Sequence, residues 1–309
     1  MFKRILVPLD GTPQANAALL VASTVAKSTG AAMTLLRVLP ATESSGDRAA
    51  IFSTLEKVAI ELTCDGLQVE PALREGEIVP QILEQARARS IDLIVMRSHG
   101  RVGLGRAVLG SVTERVLAAS GVPVLVVRPG GRRVRHLRTL LVPVDGSPGG
   151  AVALGTAVGL SQASGASIKL LRVAVPIPEH VYTDYDYAAI PDFDPAAWDE
   201  EALASAGTYV DDIVARLRGA GVPAEGVARM APEIAKTIVS VAQETSADVI
   251  VMSTQALTGA ARALLGSVAD AVVRGAHCPV LLLRRTEIDR ETGAHQEPLL
   301  TRVWANTVS

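Results

Sequence analysis

The residues best suited to chemistry in this chain form one glycine-bearing stretch, from Arg97-Ser98-His99-Gly100 through Gly103 and Gly105 to Gly110-Ser111. It follows an apolar run, Leu93-Ile94-Val95-Met96, that reads as a buried strand. It leads into Val112-Thr113-Glu114-Arg115-Val116-Leu117, which reads as a helix. Between a strand end and a helix start, glycines let backbone N–H groups face an anion with no side chain in the way. The chemistry this suggests is phosphate binding. An altered copy runs from Met252-Ser253-Thr254-Gln255-Ala256 to Gly266-Ser267. Asp10, closing an earlier apolar run, is a second candidate. Its carboxylate can accept from an amino or ribose hydroxyl group, or form only a turn with Gly11 and Thr12.

Other chemistries find little support. No serine or cysteine nucleophile is identifiably paired with His99. Cys64 and Cys278 make neither a metal-ligand spacing nor a disulfide framework, which suits a reducing cytoplasm. His277 beside Cys278 reads as a packed residue ahead of a strand. The formal net charge of −2 gives no global field for nucleic acid or an acidic membrane. The Gly- and Arg-rich run from Arg128 to Leu137 lacks interleaved aromatics and reads as a solvated linker. No uncharged apolar run reaches the ~18–20 residues of a membrane span, and the basic N-terminus has too short an apolar run for a signal peptide. A cytoplasmic protein with neither a nucleic-acid nor a membrane partner is expected.

The elements that must position these residues come in two copies. Leu6-Val7-Pro8-Leu9-Asp10-Gly11 returns as Leu141-Val142-Pro143-Val144-Asp145-Gly146, and Leu35-Leu36-Arg37-Val38 as Leu170-Leu171-Arg172-Val173, both at an offset of 135. Asp92-Leu93-Ile94-Val95-Met96 returns as Asp248-Val249-Ile250-Val251-Met252, and Gly110-Ser111-Val112 as Gly266-Ser267-Val268, now at an offset of 156. A tandem duplication with 21 extra residues in its second copy follows, since 156 exceeds 135 by that number. The expected domains are residues 1–128 and 138–285, joined by linker 129–137 and followed by tail 286–309. The insertion centres on 176–200, where Tyr182, Tyr185, Tyr187, Phe193 and Trp198 fall. It reads as a flap, serving as a ligand lid or an oligomer contact.

In the first copy a strand ends at Asp10, and Thr12 is expected to cap the next helix, with Pro13 at its first position and Gly30 as its stop. Strands follow at Ala32–Val38, Leu67–Ala72, Leu93–Met96 and Pro123–Val127. Helices are expected near Arg48–Leu62, Glu77–Arg89 and Val112–Ala119, with Ile78, Ile82 and Ala86 on one face of the second of these. Ser111 to Glu114 also has the form of a capping box, so Ser111 can start its helix, contact phosphate, or do both. Continuous apolar strands separated by helices define an α/β class, doubly wound, with a parallel sheet covered on both faces.

Taken together, Val-Pro-Leu-Asp10-Gly, Leu-Leu-Arg-Val38, Asp92-Leu-Ile-Val-Met, Gly100, Gly110-Ser111-Val-Thr-Glu and the closing Val-Pro-Val-Leu-Val-Val resemble the universal stress protein family across both halves. The resemblance implies two tandem domains, each an open five-stranded parallel sheet of order 3-2-1-4-5. One branch of that family binds ATP through Gly, two residues, Gly, nine residues, Gly-Ser/Thr. On this chain the motif falls on Arg97, Gly100, Gly110 and Ser111, and again on Ser253, Ala256, Gly266 and Ser267.

The implied nucleotide set is therefore Pro8, Asp10, Val38, Arg97, Ser98, Gly100, Gly110, Ser111 and Val112. In the second half it is Asp145, Val173, Ser253, Gly266, Ser267 and Val268. Asp10 and Asp145 would approach adenosine, and Val38 and Val173 would touch the base through their backbone. Arg97 replaces the first glycine; it can block the pocket, turn outward or pair with a phosphate. Ala256 replaces a glycine that can need positive φ. The cofactor expected is ATP, with ADP or AMP as alternatives and Mg²⁺ accompanying the phosphates.

An ATP-binding regulatory protein is the leading reading, with a non-nucleotide interaction scaffold as the alternative and a slow ATPase behind both. With no Walker lysine, carboxylate pair or general base, efficient hydrolysis is not expected. The last strands, Val124–Val127 and Val280–Leu283, are apolar edges that a tandem chain can pair with each other, giving a pseudo-twofold monomer. The insertion could then build a homodimer.

Overall fold

The computed structural model describes residues 1–12, 15–42, 44–98, 109–178, 194–254 and 265–284. The first half runs β1 (Arg4–Leu9), α1 (Asn16–Thr29), β2 (Ala32–Leu39), α2 (Ser45–Cys64), β3 (Val69–Glu75), α3 (Ile78–Ala88), β4 (Leu93–Arg97), α4 (Ser111–Ala119) and β5 (Val124–Val127). The second runs β6 (Thr139–Pro143), α5 (Pro148–Ser164), β7 (Ser167–Ala174), α6 (Pro195–Gly219), β8 (Ala224–Met230), α7 (Ile234–Glu244), β9 (Val249–Thr254), α8 (Ser267–Gly275) and β10 (Val280–Arg284). Gly100 and His99, Pro13, Ala256, the tyrosines of the insertion and the tail 286–309 lie outside the described residues.

The ten strands of the described residues join one sheet, in the order β3-β2-β1-β4-β5-β10-β9-β6-β7-β8. Within each half every pairing is parallel. The halves meet where β5 and β10 run antiparallel, with Leu125 opposite Leu281. The apolar edge each half would expose alone is thus covered by the other. One core, built around Leu35, Leu140, Val21 and Val210, lies under α1, α2, α5 and α6. A second, around Leu36, Leu141, Val116 and Val272, lies under α3, α4, α7 and α8. Adjacent leucines in β2 and β6–β7 serve opposite faces, as a two-residue side-chain period requires.

Several local expectations change. The Arg128–Leu137 linker is not simply solvated: Val134 and Leu137 are buried in the first core, and the Thr24 hydroxyl donates to the Val134 carbonyl at 2.9 Å. Gly131 runs so close to the second half that a Cβ would lie 3.0 Å from the His277 carbonyl. Thr12 does not cap α1; its Oγ1 and N–H both bond Asp10 Oδ1, and the helix begins at Asn16 with Ala15 at its cap. The expected arrangement occurs in the second copy, where Ser147 caps α5 and Pro148 takes the first turn. β3 extends to Glu75 rather than stopping at Ala72.

The insertion is also not wholly a flap. Asp194 accepts the N–H groups of Ala196 and Ala197, so the segment around Trp198 is the start of α6, which at 25 residues outruns the 20 of α2.

Candidate functional site

In an open parallel sheet the chain leaves β1 toward β2 on one side, while β4 lies on the other, and the crevice beyond their carboxyl ends is where ligands bind. A cavity of about 480 Å³ lies there in the first half, inside the ~300–1,000 Å³ range of small-molecule sites. β1 supplies Pro8 and Leu9, with Asp10 following. β2 supplies Leu36, Arg37 and Val38; β4 supplies Met96 and Arg97; and the start of α4 supplies Gly110, Ser111 and Val112. Seven of the residues singled out from sequence therefore meet around one space.

The turn after β1 is built around Asp10 and Gly11. Gly11 has φ +78°, and a Cβ on it would stand 3.3 Å from the Arg37 guanidinium, which itself donates to the Leu9 carbonyl at 3.2 Å. The turn therefore needs glycine twice, for its backbone and for the arginine lying across it. The same device recurs at Gly146, with φ +81° and Arg172 Nη1 3.1 Å from the site of a Cβ. We expect Gly11→Ala to cost about 1–2 kcal/mol from the backbone conformation, plus the displacement of Arg37. Gly30→Ala has a similar φ of +72° and nothing within 4 Å, and should cost less. Urea midpoints of the two variants check the order.

At α4 the capping-box expectation is corrected. Gly110, extended at φ −66° and ψ 145°, is the cap residue, because its carbonyl already accepts the Glu114 N–H at 3.0 Å. Ser111 is thus the first helical residue, exposed and facing the cavity. Gly266 takes the same role before Ser267, with Asp270 N–H bonding its carbonyl at 2.9 Å. The first N–H groups of both helices lack intrahelical acceptors and point toward the sheet's carboxyl end.

Ser98 is not brought to the cavity. It is 4% exposed and its N–H donates to the Val127 carbonyl, continuing the strand pairing. Of the three residues expected on one face of α3, Ile82 and Ala86 are buried, whereas Ile78, in the first turn, is 49% exposed and lines the cavity.

Sequence reasoning missed Arg37, Leu9, Ala15, Ala18 and Pro40 as lining residues. The arginine had a signal, since Arg37 and Arg172 repeat at the same offset as Asp10 and Asp145. In the second half Arg172 takes a different partner and stacks on Tyr209 of α6, 4.6 Å from the ring centroid. Burial pushes the Tyr209 phenol up, with Arg172 opposing and Asp145 reinforcing that rise. Asp145 Oδ1 accepts the Ser147 N–H at 2.9 Å; Val173 and Ser253 are half-buried one residue before the ends of β7 and β9, and Gly266 and Val268 are half-buried at the start of α8.

Neither cysteine offers a nucleophile at this place. Cys278 is buried against β9, where desolvation pushes its thiol up to about 12, so it stays protonated at neutral pH. His277, with its pKa lowered by burial and then by Arg132, faces the linker.

The family model of the universal stress protein family matches residues 1–128 and 136–284. The chain therefore belongs to the universal stress protein family, with two repeats of its domain. A universal stress protein of Mycobacterium tuberculosis is 28% identical over 231 residues, covering 71% of this chain and 70% of its own length. One from Mycolicibacterium smegmatis is 24% identical over 300 residues, covering 91% and 96%. The crystal structure of a universal stress protein from Archaeoglobus fulgidus superposes with a TM-score of 0.68 at 20% identity, covering 92% of this chain and 98% of that one. That likeness concerns the fold. Among the described residues no helix is long and apolar enough to cross a membrane.

Proposed function

We propose that this protein is an adenine-nucleotide-binding regulator in which the first half holds the nucleotide, ATP or its di- or monophosphate, and occupancy changes which partner the chain engages. Its partners on this reading are the nucleotide and a second copy of the chain. The observation that carries it is the convergence of Pro8, Asp10, Val38, Arg97, Gly110, Ser111 and Val112 on one cavity. Leu36, Ile82 and Met96 offer apolar walls for a base, Asp10 offers a carboxylate for a hydroxyl or amino group, and the start of α4 offers N–H groups for a phosphate. The residues fit the cofactor also in what they leave unsatisfied, since Arg37 Nε and Arg97 Nε are buried without a hydrogen-bond partner.

The second half supports the alternative of a non-nucleotide interaction module. Ser253 stands where Arg97 does, and Arg172 is stacked on Tyr209. One nucleotide per chain is therefore expected. Mass spectrometry of small molecules released from the denatured protein, followed by titration with ATP, ADP and AMP, tests this. No released nucleotide and no binding at millimolar ATP would overturn the reading in favour of the scaffold. Gly110→Val should weaken binding tenfold or more. The backbone at Gly110 is one that any residue adopts, so the fold should survive while the cavity loses room. An unchanged affinity would move the site to Asp145 and Gly266.

A further inference from the structure

Charge is segregated along this chain, although its net value is only −2. Between Glu114 and Asp145 there are six arginines and no carboxylate, and between Arg172 and Arg216 there are ten carboxylates and no lysine or arginine. The fold brings part of each run to one side of the sheet, since Val134 and Leu137 of the linker enter the same core as Val210, Ile213 and Leu217 of α6. With those two linker residues turned in, Arg133, Arg135 and Arg138 are exposed. Arg132 pairs with Asp248. Among the described residues the other three guanidinium groups have no carboxylate partner, and Glu200 and Glu201, exposed near the start of α6, have no cationic one.

The two groups lie at opposite ends of β7. The Arg138 carbonyl accepts the N–H of Ser167, where the strand starts. Asp199 accepts the N–H of Ile177, just past the strand's end, and so fixes the start of α6 there. The eight residues of β7 span about 25 Å at ~3.3 Å each. That exceeds the ~8–10 Å over which exposed charges act at moderate salt, so the basic and acidic ends cannot neutralise each other within one chain. The acidic end also carries apolar surface, since Val175 and Trp198, on either side of that tie, are 47% and 56% exposed.

Single exposed charges are satisfied by water, but clusters of one sign raise a local potential that recruits the opposite sign. A nucleic acid or an anionic lipid surface would meet the linker arginines and, on the same face, the carboxylates of α6. The linker also lacks aromatics on which bases could stack. The acidic end of a second copy answers the charge and adds Trp198, whose ring a guanidinium can cover. We propose that two copies of this chain pair antiparallel through this face, with Arg133, Arg135 and Arg138 of each seated on the start of α6 of the other, at Trp198, Glu200 and Glu201. The two contacts are then equivalent, and the twofold closes the pair with no open chain of copies. This rests on the second copy named as a partner above, not on the nucleotide.

The test is sedimentation equilibrium of the full chain. Wild type should be a dimer whose Kd rises about tenfold or more between low salt and ~0.5 M salt. Arg133→Glu with Arg135→Glu should weaken it about tenfold or more, and so should Glu200→Arg with Glu201→Arg. Mixed together, the two double variants should pair as tightly as wild type, because at both contacts each now offers the charge the other needs. Thermal melts check that each is folded, and Arg133→Glu and Glu200→Arg alone serve where a double variant is not. Trp198→Ala should weaken the dimer about tenfold, as loss of an aromatic anchor does. A wild type that stays monomeric at hundreds of micromolar would overturn the second copy as a partner and leave the nucleotide reading standing. A dimer that both reversals leave unchanged, or that mixing fails to restore, would overturn this surface alone. A monomeric wild type that binds phosphatidylserine vesicles or an oligonucleotide through Arg133 and Arg135 would assign the linker to that anion and overturn the proposal.

Discussion

Leu125→Ala should lower the stability of the whole chain by about 2–5 kcal/mol, the cost of emptying a well-packed leucine site. Leu125 is 2% exposed and stands opposite Leu281, itself 1% exposed, at the middle of the antiparallel seam between β5 and β10. The two side chains enter the same core, which continues from the first half into the second. Their truncations share one void, and the double variant should fall short of the sum of the singles. Leu281→Glu should cost more, because a carboxylate there would be buried without a partner. Urea unfolding followed by circular dichroism reads each change. A loss under about 0.5 kcal/mol for Leu125→Ala would mean that the seam contributes little to cohesion between the halves.

The seam is reinforced outside the sheet by contacts that cross it. Arg274 of α8 reaches Glu114 of α4 at 3.4 Å while also pairing with Asp270 at 2.8 Å. Arg284 donates to the Ala118 carbonyl at 2.8 Å, and Arg128 to the Ala276 carbonyl at 2.9 Å. The ion pairs are partly exposed and contribute modestly. The guanidinium-to-carbonyl bonds matter differently, since Arg284 and Arg128 satisfy carbonyls at the ends of α4 and α8, where the helix itself leaves acceptors open.

What the sequence could reveal followed from what its patterns physically encode. Two offsets, 135 and 156, located both domains because each repeated run is a buried strand, the turn that follows it or a helix start, positions where few residue types fit. The Asp-Gly turn was legible because only glycine takes φ near +80° beside an arginine. Arg37 was in plain view within Leu-Leu-Arg-Val38, but periodicity gives a residue's face, not whether its head reaches back over a neighbouring turn. Ile78 had the right spacing for the α3 core and still ended at the cavity, because it occupies the first turn of the helix, beyond the sheet's edge.

Ser111 looked like a cap and Ser44 did not stand out. Yet Ser44 Oγ accepts the Asp47 N–H, while at α4 the helix begins one residue too early for Ser111 to cap it. The burial of Val134 and Leu137 had no local signal at all. Two apolar residues among arginines become core only through contact with α1 and with a half of the chain more than a hundred residues on.

The linker also carries the second large effect, through Asp248. Its counterpart Asp92 accepts the Lys3 and Arg4 N–H groups at 2.7 and 3.0 Å, tying the start of β1 to β4. Asp248 does the same for Arg138 and Thr139, at 2.8 and 3.0 Å, and adds Arg132 of the linker at 3.2 Å. Its side chain is 6% exposed, so alanine there strands two backbone donors in the interior and takes the carboxylate away from the part-exposed Arg132 guanidinium. Asp248→Ala should cost about 2–4 kcal/mol, from about 1–3 kcal/mol for the stranded donors and up to about 1 kcal/mol for the part-exposed ion pair. Asp92→Ala, which leaves only two donors nearer to solvent, should cost about 1–3 kcal/mol.

Arg132 also bonds the Ser246 carbonyl, and its N–H bonds the His277 carbonyl at 2.7 Å. Arg132→Ala should therefore free the linker while leaving the backbone donors of Arg138 and Thr139 satisfied by Asp248. Urea midpoints of the three variants should then rank Asp248→Ala lowest. Limited proteolysis should cut near Gly130 and Gly131 faster in both Asp248→Ala and Arg132→Ala than in Asp92→Ala. Equal midpoints for Asp92→Ala and Asp248→Ala would show that the linker arginine adds nothing, and that the second half is closed by backbone bonds alone.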